Sequence, residues 1–441
     1  MILKKPVTPL RGLSGMKCKT LVLCLLATGT ALGAASFAPA DAAAETLTLK
    51  NGMRVILTPD PQATAADVAL WFPAGARVER EGQSGLAHVA ERVVARLGVQ
   101  AGEGRWMKQV ADAGGTPGSA STYDYTSFYE TVPGERLGAA LRIEAARLAA
   151  APTDAGLFEG ERRRAREDLS RAQRTPVARG LQRLSATLYA GDPYARSLFG
   201  TDRDLAALTA RDVDGWRRER FAAGSAVLTV TGRFDAPSTL ALIRELFESL
   251  PRGTAAAAAA PLKPAGAGER ESAEHTESPA RVLFAGWRSP GASDPDAPAL
   301  ALLTQVLAGA GSPLEKSLVQ DWKSAALVQA GLDERRQSST LWTLAVLRAD
   351  ADTSTARRAM IDVVKGLARE PLAGEVFDRA MRTLETNEAL RLQGARARAQ
   401  ALGQDAIMSS AAGAAAGAAT EAARLQALRA LTPADLQRVA A

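Results

Sequence analysis

Residues 46–50 alternate polar and apolar side chains, residues 53–58 are mostly apolar, and Asn51-Gly52 lies between them. This predicts a β-hairpin closed by a type I′ turn. Residues 66–72 read as a further strand. The period then changes. Leu86, Val89, Val93 and Leu97 recur at helical spacing within residues 84–97. Gly114-Gly115-Thr116-Pro117-Gly118 breaks the pattern, and residues 119–132, rich in Ser, Thr and Tyr, read as strand. Helices are predicted over 137–150, over the arginine-rich 156–172 and over 236–250, with a strand at 226–232.

Residues 251–268 are rich in Ala, Pro and Gly and read as a linker. Beyond them the order of elements recurs. A strand at 281–287 ends in Trp287, followed by Pro290, a loop and an apolar helix at 297–307. In the first half Trp71, Pro73, a loop and the helix at 84–97 follow the same order. A strand at 341–347 and a helix at 353–367 continue the second half. Two α+β halves joined by a linker suggest an internal duplication. The division is residues 1–44, 45–250, the linker 251–268, and 269–441.

Composition changes this picture at the N-terminus. Lys4, Lys5, Arg11, Lys17 and Lys19 precede an apolar run at 21–37, with small-residue cleavage candidates at Ala38-Pro39-Ala40 and Ala40-Asp41-Ala42. Residues 1–44 therefore read as a secretory signal peptide, starting at Met1 or Met16. The alternative, a membrane anchor, has a short apolar run against it. Both cysteines, Cys18 and Cys24, lie in this leader. Its removal takes away five basic residues and one acidic residue, so the formal charge of +6 becomes +2. That charge gives a nucleic-acid partner no electrostatic support. The expectation is an exported, periplasmic protein with no membrane span once the leader is cleaved.

Candidate chemistry lies in His88-Val89-Ala90-Glu91-Arg92. On a helix, positions 88 and 92 share a face with 91 beside them. Two histidines at that spacing hold zinc, and a glutamate between them serves as general base in H-x-x-E-H enzymes. Here the fifth residue is Arg92, and alone the pattern carries almost no information.

The surroundings carry more. Gly82-Gln83-Ser84-Gly85-Leu86-Ala87-His88 resembles the entry to the catalytic helix of the M16 metallopeptidases, the insulinase, pitrilysin and mitochondrial processing peptidase family. The resemblance continues in order through Asn51-Gly52, Gly114-Gly115, Asp124 to Tyr129, Asp192-Pro193-Tyr194, Trp287 to Gly291 and Thr432-Pro433-Ala434-Asp435. It implies two similar α+β units, each a mostly antiparallel sheet covered by helices, together forming half of a peptide chamber. It implies zinc held by His88, a second histidine and a distal glutamate, with Glu91 as general base. Glu167 best fills the distal place, with Asp168 the close alternative. Extended peptides are expected to add to an edge strand near 119–132, at Ser119, Ala120, Ser121 and Thr122.

Arg92 departs from the family. A guanidinium stays charged at any working pH. Held about 4 Å from a zinc dication at an effective dielectric of about 20, it costs on the order of 8 kcal/mol. Structural zinc sites supply roughly 10–16 kcal/mol in all. The simpler arrangement puts Arg92 in the metal's place, paired with Glu91 or Glu167 and leaving zinc unbound. His275 is the one other histidine, and it lies beyond the linker. Gln320 and Leu327 stand where some inactive partner subunits of the family carry a substrate-holding Arg and Tyr. Three readings follow. The first is a non-catalytic subunit pairing with an H-x-x-E-H-bearing chain. The second is a working zinc endopeptidase with an unusual ligand set. The third is a structural or peptide-binding envelope protein.

Overall fold

Among the described residues six strands precede the linker. They are β1 (Glu45–Thr48), β2 (Arg54–Pro59), β3 (Ala65–Phe72), β4 (Thr116–Ser121), β5 (Thr126–Pro133) and β6 (Val227–Gly232). They form one sheet in the order β1-β2-β6-β3-β5-β4. Each neighbouring pair is antiparallel except β2 and β6. After the linker, β7 (Val282–Pro290), β8 (Ala325–Asp333) and β9 (Ser338–Leu347) form an antiparallel sheet in the order β7-β9-β8. The fold is α+β. This computed structural model describes residues 44–97, 105–254, 260–264, 266, 268–274, 281–309, 311–408 and 418–441. Residues 1–43 of the leader and His275 lie outside the described residues.

The first sheet has a core on each face. On one face Leu70, Phe72, Phe128 and Leu228 meet Val89 and Val93 of α1 (Leu86–Val94) and Val110 of α2 (Arg105–Asp112). Leu141 of α3 (Leu137–Leu148) and Phe247 join the same core. On the other face Ile56, Ala69, Trp71 and Val227 meet Leu402, Ala406 and Ile407 of the helix Ala395–Met408, which belongs to the second half. Gly403 lies directly on the Trp71 ring, where a Cβ would have no room.

The second sheet receives a helix in return. α4 (Ala155–Arg174) is followed at Pro176 by α5 (Pro176–Leu188). On α5, Gly180 lies under the Phe284 ring and Leu184 lies against Gly286, both partners being on β7. Each half thus roofs the other's sheet through a glycine contact. Ala42–Ala441 forms one compact unit. Among the described residues no helix is long and apolar enough to cross a membrane.

Three expectations need correction. The turn at Asn51-Gly52 is not type I′, which needs positive φ at both central residues. Gly52 has φ of +92° but Asn51 does not adopt a positive φ. Asn51 is instead anchored by tertiary contacts. Its amide donates to the Phe247 carbonyl at 2.7 Å, and its oxygen accepts the Met53 N–H at 3.1 Å. Second, residues 119–132 are not one strand. The Thr122 hydroxyl accepts the N–H groups of Asp124 and Tyr125 and reverses the chain between β4 and β5. Only β4 is an edge, and β5 lies inside the sheet. Third, the stretches 105–112 and 325–333, read as no element, form the helix α2 and the strand β8.

Candidate functional site

The helix α1 is set by what happens just before it. Gly85 takes φ of +89° against Leu205, Gly200 and the Phe199 carbonyl, a place and conformation closed to a side chain. The buried Glu79 carboxylate accepts the N–H of Gly85 at 3.1 Å and of Ala87 at 2.8 Å. It therefore satisfies donors that a helix N-terminus leaves open. Burial pushes the Glu79 carboxyl up to about 8, partly offset by those two hydrogen bonds. Ser84 is tied to Asp204 through its backbone N–H at 3.1 Å and its hydroxyl at 2.5 Å. These contacts fix which face of α1 meets α4.

Along α4, Phe158, Glu161, Ala165 and Leu169 are buried at helical spacing. Glu161 and Asp168 therefore point at α1, while Glu167 is exposed. His88 Nε2 lies 3.2 Å from Asp168 Oδ2, and His88 Nδ1 lies 3.6 Å from Glu91 Oε2. Arg92 donates through one terminal nitrogen to Asp168 Oδ2 at 2.7 Å and through Nε to Glu161 Oε2 at 3.1 Å. Its partners are thus Asp168 and Glu161 rather than Glu91 or Glu167. The correction follows from helix geometry. Residue 168 shares a face with Glu161 and Ala165, and residue 167 is turned outward.

The remaining carboxylate oxygens are also occupied. Asp168 Oδ1 accepts from Arg171 at 3.0 Å. Glu161 Oε1 pairs with Arg96 at 2.9 Å and with Arg164. Glu91 Oε1 accepts the Ser119 hydroxyl. Arg96 also donates to the Arg92 carbonyl at 2.8 Å. The His88 ring stands edge-on to Phe199 at 5.2 Å. Three acidic residues and one imidazole are thus held among four arginines.

Zinc does not fit these residues. The carboxylate facing His88 Nε2 is that of Asp168, which the always-charged Arg92 guanidinium also meets at 2.7 Å. Asp168 Oδ2 already accepts two donors. Among the described residues no group of three His, Cys, Asp or Glu side chains is placed to hold a metal. The arrangement can bind charge and hold two helices together. It provides no open coordination position for activating water.

Of the expected peptide-binding residues, Ser119, Ala120 and Ser121 lie on the edge strand β4, and Thr122 belongs to the turn after it. Gly118 lies under the Tyr129 ring and leaves no space for a side chain there. Asp192 is structural, accepting the Lys263 N–H at 3.0 Å and pairing with Arg288 at 3.5 Å. Gln320 lies in the helical segment Lys316–Asp321, and Leu327 is exposed on β8. Glu161, Arg96 and Arg164 were not read from sequence as site residues. Their signal was present in the four-residue spacing of Arg92 and Arg96, the latter just past the end of α1, and in the spacing 161/164/168 on α4.

Comparison with known proteins agrees with this layout. A family profile described as insulinase (peptidase family M16) matches residues 54–202, and one described as the peptidase M16 inactive domain matches residues 207–384. The chain is 26% identical to a Helicobacter pylori protein named zinc protease PqqE over 326 residues, covering 73% of this chain and 71% of that one. It is 24% identical over 212 residues to the Lentinula edodes mitochondrial-processing peptidase subunit beta, covering 47% of this chain but only 44% of that subunit. In structure it is similar to a crystallised protease from Helicobacter pylori, with a TM-score of 0.82 and 20% identity, covering 90% of this chain and 95% of that one. A peptidase M16 inactive domain from Pseudomonas fluorescens gives a TM-score of 0.78 at 17% identity, covering 90% and 93%.

Proposed function

This chain belongs to the M16 metallopeptidase family, and on that premise we propose that it is a non-catalytic subunit that pairs with a separate, H-x-x-E-H-bearing M16 peptidase. The observation that carries this reading is the Arg92 guanidinium, bonded to Asp168 and Glu161 where the family pattern calls for a second histidine. A cation there replaces the metal's charge and holds α1 to α4 without it. Glu91 then has no metal-bound water to deprotonate, and its carboxylate meets the Ser119 hydroxyl instead.

In this proposal the chain contributes structure to a shared peptide chamber. Extended peptides meet Ser119, Ala120 and Ser121 on β4, beside α1. The pairing gains support from relatives whose names describe subunits of larger assemblies, the mitochondrial-processing peptidase subunit beta and a cytochrome b-c1 complex subunit 1. Export to the periplasm is proposed from the leader sequence alone.

The test is zinc per chain in the purified protein by elemental analysis, followed by peptide cleavage with and without an H-x-x-E-H-bearing M16 chain. The expected outcome is near-zero zinc, no cleavage alone, and faster cleavage when the two are mixed. Zinc near one per chain, with cleavage abolished by Glu91→Gln, would overturn the reading. Arg92→His returns the second ligand, and zinc content is expected to rise in that variant.

A further inference from the structure

Three ionisable residues lie together deep in the first half, away from the His88 site. Glu130 on β5 and Glu144 and Arg147 on α3 have no exposed side-chain surface. Glu144 takes most of the guanidinium. Its two oxygens accept from Arg147 Nε at 3.2 and 3.1 Å, and one of them accepts from a terminal nitrogen at 2.8 Å. Glu130 receives less. Its Oε1 accepts from the same terminal nitrogen at 3.1 Å and from the Trp106 indole N–H at 2.8 Å. Its Oε2 meets no donor among the described residues. The other terminal nitrogen of Arg147 donates at 2.9 Å to the carbonyl of Val94, the last residue of α1.

The charges of this cluster do not balance. Two carboxylates face one guanidinium, and a buried carboxylate without a matching cation is strongly disfavoured. Among the described residues no neighbouring element brings a second cation. β3 and β4 place Val68 and Pro117 opposite Glu130. Asp67, next to Val68, points to the other face of the sheet. On α2, Lys108 and Asp112 are exposed and pair with each other. On α1, Glu91 bonds to Ser119 and Arg92 to the carboxylates of α4, and Arg96 beyond its end pairs with Glu161. Arg142 of α3 is exposed. Burial, and after it the Glu144 charge, push the Glu130 carboxyl well above the usual carboxylate range, against the pull of Arg147.

We propose that Glu130 and Glu144 hold one proton between them, carried on Glu130 Oε2, so that the cluster is one carboxylic acid, one carboxylate and one guanidinium. The contacts choose the position. Both oxygens of Glu144 accept from Arg147, whereas Glu130 Oε2 is the oxygen without a donor. The protonated cluster ties β5 and α3 to the end of α1 and to α2 as one neutral unit. It also makes that unit sensitive to alkali. The unfolded chain releases the proton above about 4.5, and the folded chain keeps it to higher pH. This contribution to stability is therefore complete below that value and is lost as pH rises through the folded one. It is independent of the subunit pairing proposed above and of the state of the His88 site.

The test compares the full chain with its Glu130→Gln variant in urea unfolding from about pH 5 to about pH 9. The amide keeps the shape and the donor of the protonated acid but cannot ionise. Protons held at Asp67 and Glu79 are common to both chains and cancel in the ratio of their unfolding constants. That ratio, wild type over variant, is expected to rise about tenfold per pH unit from the start of the range and to level off where the folded pair ionises. At neutral pH the infrared C=O band of a carboxylic acid is expected in the wild type and is expected to be missing from the variant. Glu144→Gln also leaves one carboxylate facing the guanidinium, and its ratio is expected to rise with the same slope. A ratio that stays flat across the range means that both carboxylates are ionised in the fold and overturns the proposal. So does a carboxylic-acid band of equal strength in wild type and Glu130→Gln. Failure of Glu130→Gln to fold overturns it as well, because the variant copies the protonated state.

Discussion

The helix that follows β3 and the helix that follows β7 occupy equivalent places and have opposite characters. α1 carries His88 and Arg92 toward the carboxylates of α4, with Glu91 beside His88 and bonded to Ser119 of β4. Its counterpart Ala297–Leu307 is Ala-Pro-Ala-Leu-Ala-Leu-Leu-Thr-Gln-Val-Leu, and its buried residues are apolar but for Thr304. Thr304 satisfies its own hydroxyl on the Leu300 carbonyl one turn back. The two halves share a scaffold, and only one of them carries a polar cluster on it. The pattern places the helix, whereas the charge it bears is a local addition. In that cluster the carboxylates of Glu161 and Asp168 are paired with arginines.

A second buried cluster makes the first half more polar still. Arg147 is fully buried, paired with Glu144 at 2.8 Å and Glu130 at 3.1 Å, donating to the Val94 carbonyl at the end of α1 and lying over the Trp106 and Phe128 rings. Arg147→Ala leaves two buried carboxylates without a cation, and a loss of about 3–5 kcal/mol is expected in denaturant unfolding. This is the largest single effect expected, and Arg147→Met is expected to cost somewhat less than Ala, since it removes the charge but fills most of the space beside Trp106 and Phe128. Next come the exchanged helices. Gly403→Val and Gly180→Val each push a side chain into a ring, Trp71 or Phe284, and are expected to cost about 1–3 kcal/mol each. Similar costs would establish that each half depends equally on the other's helix. A much smaller cost at Gly180 would show the three-stranded sheet to be the more adaptable.

Smaller effects sharpen the comparison at the site. Arg92→Ala removes two charge-assisted hydrogen bonds, while Glu161 keeps Arg96 and Arg164. A loss of about 2 kcal/mol is expected, with the α1–α4 contact loosened in hydrogen exchange. Asp67 on β3 gives a pH signature. Burial pushes its carboxyl up to about 7, against the Thr131 hydroxyl and the nearby Arg396, which pull it down. Between the unfolded value near 3.8 and about 7, the folded chain holds the extra proton, so stability falls as pH rises through that window. The contribution is at most about 1.4 kcal/mol per pH unit. Asp67→Asn is expected to flatten that part of the profile in unfolding curves measured from pH 4 to 8.

The sequence alone determined a good part of this. Period and breakers located β3, α1, α3, α4, β6, β7 and the helix at 297–307, because the helices repeat apolar residues at helical spacing and the strands are short apolar runs set off by breakers. It also marked His88, Glu91 and Arg92 as one helix face, since i, i+3 and i+4 adjacency is local geometry. The replacement of a histidine by Arg92 was visible before any fold was known, and so was the difficulty it makes for zinc. Tertiary structure decided the rest. Asp168 rather than Glu167 meets His88, because one residue along a helix turns a side chain by about 100° and only packing fixes the helix's rotation. Glu161, Arg96 and Arg164 joined the cluster for the same reason. The single strand expected at 119–132 became two because the Thr122 hydroxyl closes a turn, and Asn51 left its expected turn for contacts about two hundred residues away in sequence. The exchange of helices between halves depends on which surfaces meet in three dimensions, and no local pattern encodes that.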